Sequence, residues 1–325
     1  MKYTYFPGCS LERNAAAYHI STLAVTQALG MELVEVEDWN CCGATEYVSL
    51  NLTASYALIA RNLAQAAKNT ETRELVAPCS ACYLNLRKCD HYMAQSPALA
   101  EKVNQALAAG GLAYQGGTLR VRHLLDVIVS DIGCDAVAAK VTRPLKGLRI
   151  VPYYGCMIVR PGYAGQTAFD NVEQPTTLDT LLTALGAEVV PFSLKAACCG
   201  GHMTQISEAT GFELIRRLVK AATDGGADLI AALCPMCQLN LDAFQGPMNK
   251  HCKTNYHMPV LYFTQLLGLA LGMDAKPLGI GSELVDARPA LAKIGVAVPL
   301  AEPAAAPKKP KRDDKSLPMP RMSGV

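Results

Sequence analysis

Short runs of β-branched, aromatic and aliphatic residues alternate along the chain with longer segments of helical hydrophobic periodicity. The short runs predict strands at Tyr3–Phe6, Glu32–Val36, Glu74–Ala77, Leu148–Tyr153, Glu188–Pro191 and Leu229–Leu233. Helical periodicity is clearest at Ala54–Ala67, Thr176–Leu185 and Phe212–Ala222. Because parallel strands need long crossovers, which are usually helical, this alternation predicts an α/β fold with mainly parallel sheets.

Ten of the thirteen cysteines form two sets of five with a shared order: a single cysteine, an adjacent Cys-Cys-Gly, then a Cys-x-x-Cys. The first set is Cys9, Cys41, Cys42, Cys79 and Cys82. The second set is Cys156, Cys198, Cys199, Cys234 and Cys237. Flanking residues repeat as well, since Leu84-Asn85-Leu86 corresponds to Leu239-Asn240-Leu241. A repeat of this length indicates two copies of a whole domain.

The repeat divides the chain into two tandem domains, residues 1–143 and 147–298, followed by a tail at 299–325. We expect each domain to be a three-layer α/β structure, with a pseudo-twofold axis relating the two. A predicted strand precedes each single cysteine and each Cys-x-x-Cys, which places the cysteines at strand carboxyl ends, where open α/β sheets bind ligands. The tail is rich in proline and lysine and has no hydrophobic periodicity, so we predict that it is disordered.

Composition and charge argue against nucleic-acid binding and against a membrane span. Hydrophobic residues make up 50% and charged residues 18% of the chain, and the net charge is only +2. The longest apolar stretch, Val260–Met273, is shorter than the roughly 20 residues that a spanning helix needs. The amino terminus has no signal-peptide pattern, so we expect a cytoplasmic protein. Cysteines are kept reduced in that compartment, so here they indicate metal or redox chemistry.

Five thiols in each half favour an iron–sulfur cluster over zinc. Thiolate is a soft ligand that selects zinc, copper(I) or iron–sulfur clusters. A structural zinc ion takes four ligands, and an adjacent Cys-Cys pair suits a multi-iron cofactor better than one tetrahedral ion. Glycines beside the cysteines would let the backbone approach a bulky cofactor; they are Gly8, Gly43, Gly155, Gly200 and Gly201. A zinc-stabilised scaffold stays the alternative.

The order Cys, Cys-Cys-Gly, Cys-x-x-Cys is similar to the CCG cysteine-rich domain. Its duplication, with all ten cysteines present, resembles the catalytic B subunit of heterodisulfide reductase over most of the chain. The resemblance implies an oxidoreductase in which each five-cysteine set holds a noncubane 4Fe–4S cluster and a disulfide is cleaved between the two. It also implies two partners, the ferredoxin-like iron–sulfur C subunit together with the flavin-containing A subunit. The longer gap between Cys156 and Cys198 departs from the first half and predicts a loop insertion around Pro161–Asn171.

Residues outside the ten cysteines give weaker signals. His202 follows Cys-Cys-Gly-Gly and is a candidate catalytic proton donor to a departing thiolate, with a surface histidine as the alternative. Lys195, Arg160 and Arg13 are expected to be solvated, with binding of an acidic substrate group as the alternative. The remaining thiols are expected to be structural, and they are Cys89, Cys134 and Cys252.

Two functions from different classes remain open. The first is a catalytic subunit that reduces or forms a disulfide or related sulfur compound. The second is a non-catalytic electron-transfer subunit of a flavin dehydrogenase complex, a role in which CCG domains also occur. Two intact cysteine sets favour the first, because a simple relay would tolerate the loss of one set.

Overall fold

The computed structural model describes residues 1–44, 47–159 and 170–298. The strands in these ranges are β1 (Lys2–Tyr5), β2 (Glu32–Glu35), β3 (Glu74–Ala77), β4 (Arg120–His123), β5 (Arg149–Tyr153), β6 (Glu188–Val189), β7 (Leu229–Ala232) and β8 (Val260–Tyr262). The helices are α1 (Ala16–Ala28), α2 (Tyr47–Leu50), α3 (Leu52–Ala66), α4 (Ser80–Gln95), α5 (Pro97–Ala108), α6 (Leu124–Val127), α7 (Cys134–Ala138), α8 (Thr177–Ala184), α9 (Met203–Ile206), α10 (Glu208–Asp224), α11 (Pro235–Ala243), α12 (Gln245–Cys252), α13 (Phe263–Ala270) and α14 (Arg288–Leu291).

Each half contains one four-stranded parallel sheet, and the two sheets have the same strand order. The first sheet is β2-β1-β3-β4 and the second is β6-β5-β7-β8. All six strand pairs are parallel, and buried aliphatic residues such as Leu75 and Ile230 fill the central strands. The predicted duplication and the predicted parallel α/β fold are therefore confirmed.

Each sheet has a fourth strand that the sequence pattern did not predict. Both β4 and β8 are short and run directly into α6 or α13, so neither has a separate strand pattern in the sequence. Both strands lie at a sheet edge, where they pair with the strand that precedes a Cys-x-x-Cys. As a result His123 and Tyr262, the last residues of β4 and β8, lie beside the cysteine-bearing ends of β3 and β7.

The two halves pack against each other through α1 and α13. Ser21 Oγ and Thr264 Oγ1 lie 2.7 Å apart and are buried. The rings of Tyr18 and Tyr262 are stacked, with centroids 4.2 Å apart and an interplanar angle of 6°. Buried contacts of this kind fix the carboxyl ends of β3 and β7 relative to each other.

Some predictions concern residues that the structure does not test. Most of the predicted insertion at Pro161–Asn171 and the whole tail at 299–325 lie outside the described residues. The predicted domain boundary at 143–147 falls between α7 and β5 and stays a prediction. In the part of the chain that is described, no helix combines the length and the apolar composition needed to cross a membrane.

Candidate metal centre

The Cys-x-x-Cys cysteines of each half lie at the start of a helix that follows a buried strand. Cys79 is the N-cap of α4, and Cys82 lies in the first helical turn. Cys234 is likewise the N-cap of α11, with Cys237 in its first turn. The amino terminus of a helix carries partial positive charge, which stabilises a thiolate there. The strand–turn–helix order of the sequence therefore places two ligand-type thiols at one end of each domain.

The five thiols of the first set form a continuous array. Cys9 Sγ lies 3.4 Å from Cys41 Sγ, and Cys42 Sγ lies 3.2 Å from Cys82 Sγ. The thiol of Cys41 perturbs the pKa of the adjacent Cys42, and the thiol of Cys79 perturbs that of Cys82, so these pairs are neighbours as well. The order of contacts is Cys9, Cys41, Cys42, Cys82 and Cys79.

The second set repeats the same order of contacts. The thiol of Cys198 perturbs the pKa of both Cys156 and Cys199. The thiols of Cys199 and Cys234 likewise perturb the pKa of Cys237, so the free thiols of the second set are neighbours in this order. The structure therefore brings together all five predicted cysteines in each half, while their role as cluster ligands stays a prediction. In the described parts of the chain, no three His, Cys, Asp or Glu side chains surround one point as ligands of a single ion.

The two arrays meet at the junction of the halves. The thiols of Cys79 and Cys234 are close enough to perturb each other's pKa although they belong to different sets. Both are buried, with 6% and 3% of their surface exposed. Cys9 and Cys41 at one end of the array are exposed, and so is Cys198 near the other end. The ten thiols thus run from the surface of one half, through the junction, to the surface of the other.

The crowding of the thiols changes their acidity. Hydrogen bonds from Cys42 and Cys9 lower the pKa of Cys41 to about 2, and the bond to Cys41 raises the pKa of Cys42 to about 12. Hydrogen bonds from Cys237 and Cys79 hold the pKa of Cys234 well below its usual range. A cluster of neighbouring thiols cannot all ionise unless a cation compensates their charge. The set therefore has the chemistry of a metal site, in which binding displaces protons.

Two glycines form the wall against which these sulfurs pack. Gly8 has a φ of +78°, and a Cβ atom there would lie 2.7 Å from Cys82 Sγ. Gly155 has a φ of +67°, and a Cβ atom there would lie 2.9 Å from Cys237 Sγ. Only glycine meets both requirements, because it adopts a positive φ readily and has no Cβ atom. Five soft thiols and a side-chain-free wall in each half fit an iron–sulfur cluster.

An asparagine in each half holds the Cys-Cys loop. Asn85 Nδ2 donates to the Cys42 carbonyl at 3.1 Å. Asn240 Nδ2 donates to the carbonyls of Cys199 at 3.2 Å and Gly201 at 2.8 Å. Neither asparagine was predicted to have a role, although the repeated Leu-Asn-Leu after each Cys-x-x-Cys was the signal for both.

The surroundings of the two sets differ in charge. The exposed end of the first set opens into a pocket of about 630 Å³ whose lining includes Cys9, Cys41, Glu12, Glu35, Glu37 and Asp38. In the second half Lys195 is 7% exposed and pairs with Asp179 at 2.6 Å, so the expectation that it is solvated was wrong. Its side chain also donates to the Pro175 carbonyl and therefore holds the loop before Cys198 in place. Arg13 is exposed as expected, and Arg160 lies outside the described residues.

The other candidate residues lie at the edges of the site. His202 is the N-cap of α9, directly after Gly201, and is partly exposed. Cys89 is fully buried, and its sulfur contacts the Tyr56 carbonyl at 3.6 Å, which agrees with a structural thiol. Burial raises the pKa of Cys89. Cys134 and Cys252 are partly buried.

A duplicated parallel α/β fold with ten thiols aligned across the junction of its halves defines a two-domain cysteine-rich protein. A family model described as the CCG cysteine-rich domain matches residues 3–87 and 150–242. These matches cover more than half of the chain, so the chain belongs to the CCG cysteine-rich domain family and carries the domain twice.

Several relatives align over most of this chain. It is 34% identical to the membrane anchor subunit of the 8-methylmenaquinol:fumarate reductase of Wolinella succinogenes, with 88% of this chain and 98% of the relative aligned. It is 28% identical to the B subunit of the ferredoxin:CoB-CoM heterodisulfide reductase of Methanosarcina mazei, with 90% and 97% aligned. It is 29% identical to a protein of Archaeoglobus profundus named as similar to the heterodisulfide reductase B subunit, with 84% and 92% aligned. The predicted resemblance to this B subunit is therefore confirmed.

A solved structure confirms the fold. The crystal structure of a hypothetical protein from Helicobacter pylori matches with a TM-score of 0.69 at 15% sequence identity. The match covers 88% of this chain and 52% of that chain, so the present chain spans about half the length of that protein. At this identity the likeness concerns the fold alone.

Proposed function

We propose that the chain is the catalytic subunit of a heterodisulfide reductase-like complex that reduces, or in the opposite direction forms, a disulfide or related sulfur compound. A noncubane 4Fe–4S cluster held by each five-cysteine set would supply one electron, so that each of the two substrate sulfurs would receive one. The observation that carries the proposal is the contact between Cys79 and Cys234, which joins two complete and equivalent sets at one buried point. The relatives named for the B subunit of heterodisulfide reductase support it.

The duplication matches the stoichiometry of the reaction. Reduction of one disulfide to two thiols consumes two electrons and two protons. The chain provides two equivalent sets on either side of one junction, and in the proposed reaction each set would face one of the two substrate sulfurs. Gly8 and Gly155 leave room at the sulfurs, while Asn85 and Asn240 hold the adjacent loops. Equivalent residues therefore support the sulfurs and the Cys-Cys loops of both halves.

The protons and electrons have different sources in this proposal. His202 lies close in sequence to the exposed Cys198 and is itself partly exposed, so it can take a proton from water and donate it to a departing thiolate. Electrons come from the ferredoxin-like C subunit together with the flavin-containing A subunit of a cytoplasmic complex. The names of the relatives, which are subunits of larger reductases, support such an assembly.

A second candidate is a non-catalytic electron-transfer subunit of a flavin dehydrogenase-type complex. The relative from Wolinella succinogenes, at 34% identity, is named as a subunit of a fumarate reductase and not of a heterodisulfide reductase. The array of thiols runs from the exposed Cys9 and Cys41, through the junction, to the exposed Cys198, which also suits a conduit between two partners.

Both candidates predict an iron content of about eight per chain, in two clusters of four. The protein should be purified without oxygen, and its metals should be measured together with its electron paramagnetic resonance spectrum. Stoichiometric zinc with negligible iron would contradict both candidates and favour the zinc scaffold.

A further inference from the structure

Two backbone carbonyls lie directly before the cysteines that meet at the junction. Pro78 precedes Cys79 in the first half, and Leu233 precedes Cys234 in the second. Tyr18 Oη donates to the Pro78 carbonyl at 2.8 Å and lies 3.4 Å from the Leu233 carbonyl. A single buried hydroxyl therefore contacts both chain segments.

Ser80 contacts the Leu233 carbonyl as well, and His123 contacts Ser80. Ser80 Oγ donates to the Leu233 carbonyl at 3.2 Å and lies 3.5 Å from His123 Nε2. The Leu125 amide donates to His123 Nδ1 at 3.1 Å, which requires Nδ1 to be unprotonated and puts the ring proton on Nε2. The Nε2–H therefore faces Ser80 Oγ, whose hydroxyl donates in turn to the Leu233 carbonyl.

These donors are asymmetric, although the fold is duplicated. Tyr18 and Ser80 belong to the first half and reach across to Leu233 of the second, and His123 of the first half contacts Ser80. The strand register makes Tyr262 the counterpart of His123, since Ala77 pairs with His123 and Ala232 with Tyr262. Tyr262 contributes differently, because its ring stacks on Tyr18 and its hydroxyl donates to Gln238 at 3.2 Å.

We propose that Tyr18 and His123 are positioning residues that set the distance between the two five-cysteine sets: Tyr18 holds the carbonyls of Pro78 and Leu233 directly, and His123 holds the Leu233 carbonyl through Ser80. The proposal rests on the proposed function in that each set holds a cluster. Both side chains are fully buried, so water does not compete for the carbonyls. Each carbonyl is one residue away from a junction cysteine, so a shift of either segment moves Cys79 relative to Cys234.

The experiment compares purified holoprotein with three variants. Tyr18→Phe keeps the ring that stacks on Tyr262 and removes only the hydroxyl. His123→Phe removes the donor, and His123→Gln restores an N–H at a similar position. The readout is the magnetic interaction between the two clusters, measured by electron paramagnetic resonance, because this interaction falls with the cube of their separation. Iron content and disulfide turnover are measured on the same samples.

We expect both phenylalanine variants to keep two clusters, to show a weaker magnetic interaction and to lose about tenfold in turnover, since small misplacements are costly in catalysis. His123→Gln should recover most of the magnetic interaction and most of the turnover. The matched control is Tyr114→Phe, which removes a buried hydroxyl that donates to Asp90 Oδ1 within the first half, and it should behave like wild type.

Two results would overturn the positioning role without touching the proposed function. One is an unchanged magnetic interaction in both phenylalanine variants. The other is loss of a cluster, which would show that the residues act in cluster assembly. If the wild-type protein were instead found without two clusters, both the proposed function and the positioning role would be contradicted.

Discussion

Replacing Cys42 or Cys199 with serine is expected to remove the cluster of one half and abolish disulfide turnover. Each residue is buried in the middle of its array, between Cys41 and Cys82 or between Cys198 and Cys237. The other half has its own sheet and its own five thiols, so it should stay loaded, and iron should fall from about eight to about four per chain. Turnover is measured with a disulfide and an artificial one-electron donor.

The two candidate functions differ in what survives these substitutions. If both sets must face the substrate, neither variant turns over. If the array is only a conduit, a soluble donor bypasses the damaged set and appreciable activity remains. Cys89→Ser and Cys252→Ser are the controls, because both thiols lie outside the array and should leave the iron content unchanged. Substantial activity in a variant with one confirmed cluster would count against the catalytic proposal.

The duplication also predicts that the two variants fail to a similar degree. All five cysteines are present in both halves, and the order of sulfur contacts is the same. A large difference between Cys42→Ser and Cys199→Ser would mean that one set meets the substrate while the other only feeds it electrons. The acidic pocket beside Cys9 and the buried Lys195 in the second half give a physical basis for such a difference.

The sequence was sufficient for features that depend on local pattern. Six strands could be predicted because each lies in a short aliphatic or aromatic run between helical segments, and the cysteine sets could be predicted because their spacing repeats. The edge strands β4 and β8 could not, since a short strand that runs straight into a helix has no separate pattern. The same limit applied to Lys195, whose burial depends on Asp179 in a different element.

The contacts at the junction of the two halves could not be predicted from the sequence, for a different reason. Tyr18 and Leu233 are far apart in the chain, and nothing in their neighbourhoods indicates that they meet. Their contact depends on how two complete domains pack, which is a property of the folded surface of each half. His123 gave a weak signal at most, because a lone histidine in an apolar segment is common in protein cores. In contrast, Asn85 and Asn240 repeat at equivalent positions and could have been predicted.

Gly8→Ala and Gly155→Ala are each expected to abolish cluster binding in their own half of the chain. Any alanine at a positive φ destabilises the fold by roughly 1–2 kcal/mol. At Gly8 and Gly155 the added Cβ would also lie 2.7 Å from Cys82 Sγ and 2.9 Å from Cys237 Sγ, so it displaces a sulfur of the set. Iron should therefore fall to about four per chain in either variant.

The matched controls separate backbone strain from the loss of space at the sulfur. Gly30 has the same φ as Gly8, +78°, and Gly295 at +69° is close to Gly155, yet a Cβ atom at Gly30 or Gly295 meets nothing within 4 Å. Gly30→Ala and Gly295→Ala should therefore lower the melting temperature while all the iron is retained. If Gly8→Ala lost no more iron than Gly30→Ala, the wall would not be part of the metal site. If iron loss instead followed the melting temperature in all four variants, strain alone would explain it. Because the paired glycines have nearly equal φ values, any extra loss of iron in Gly8→Ala or Gly155→Ala reports the space that the site requires beside Cys82 or Cys237.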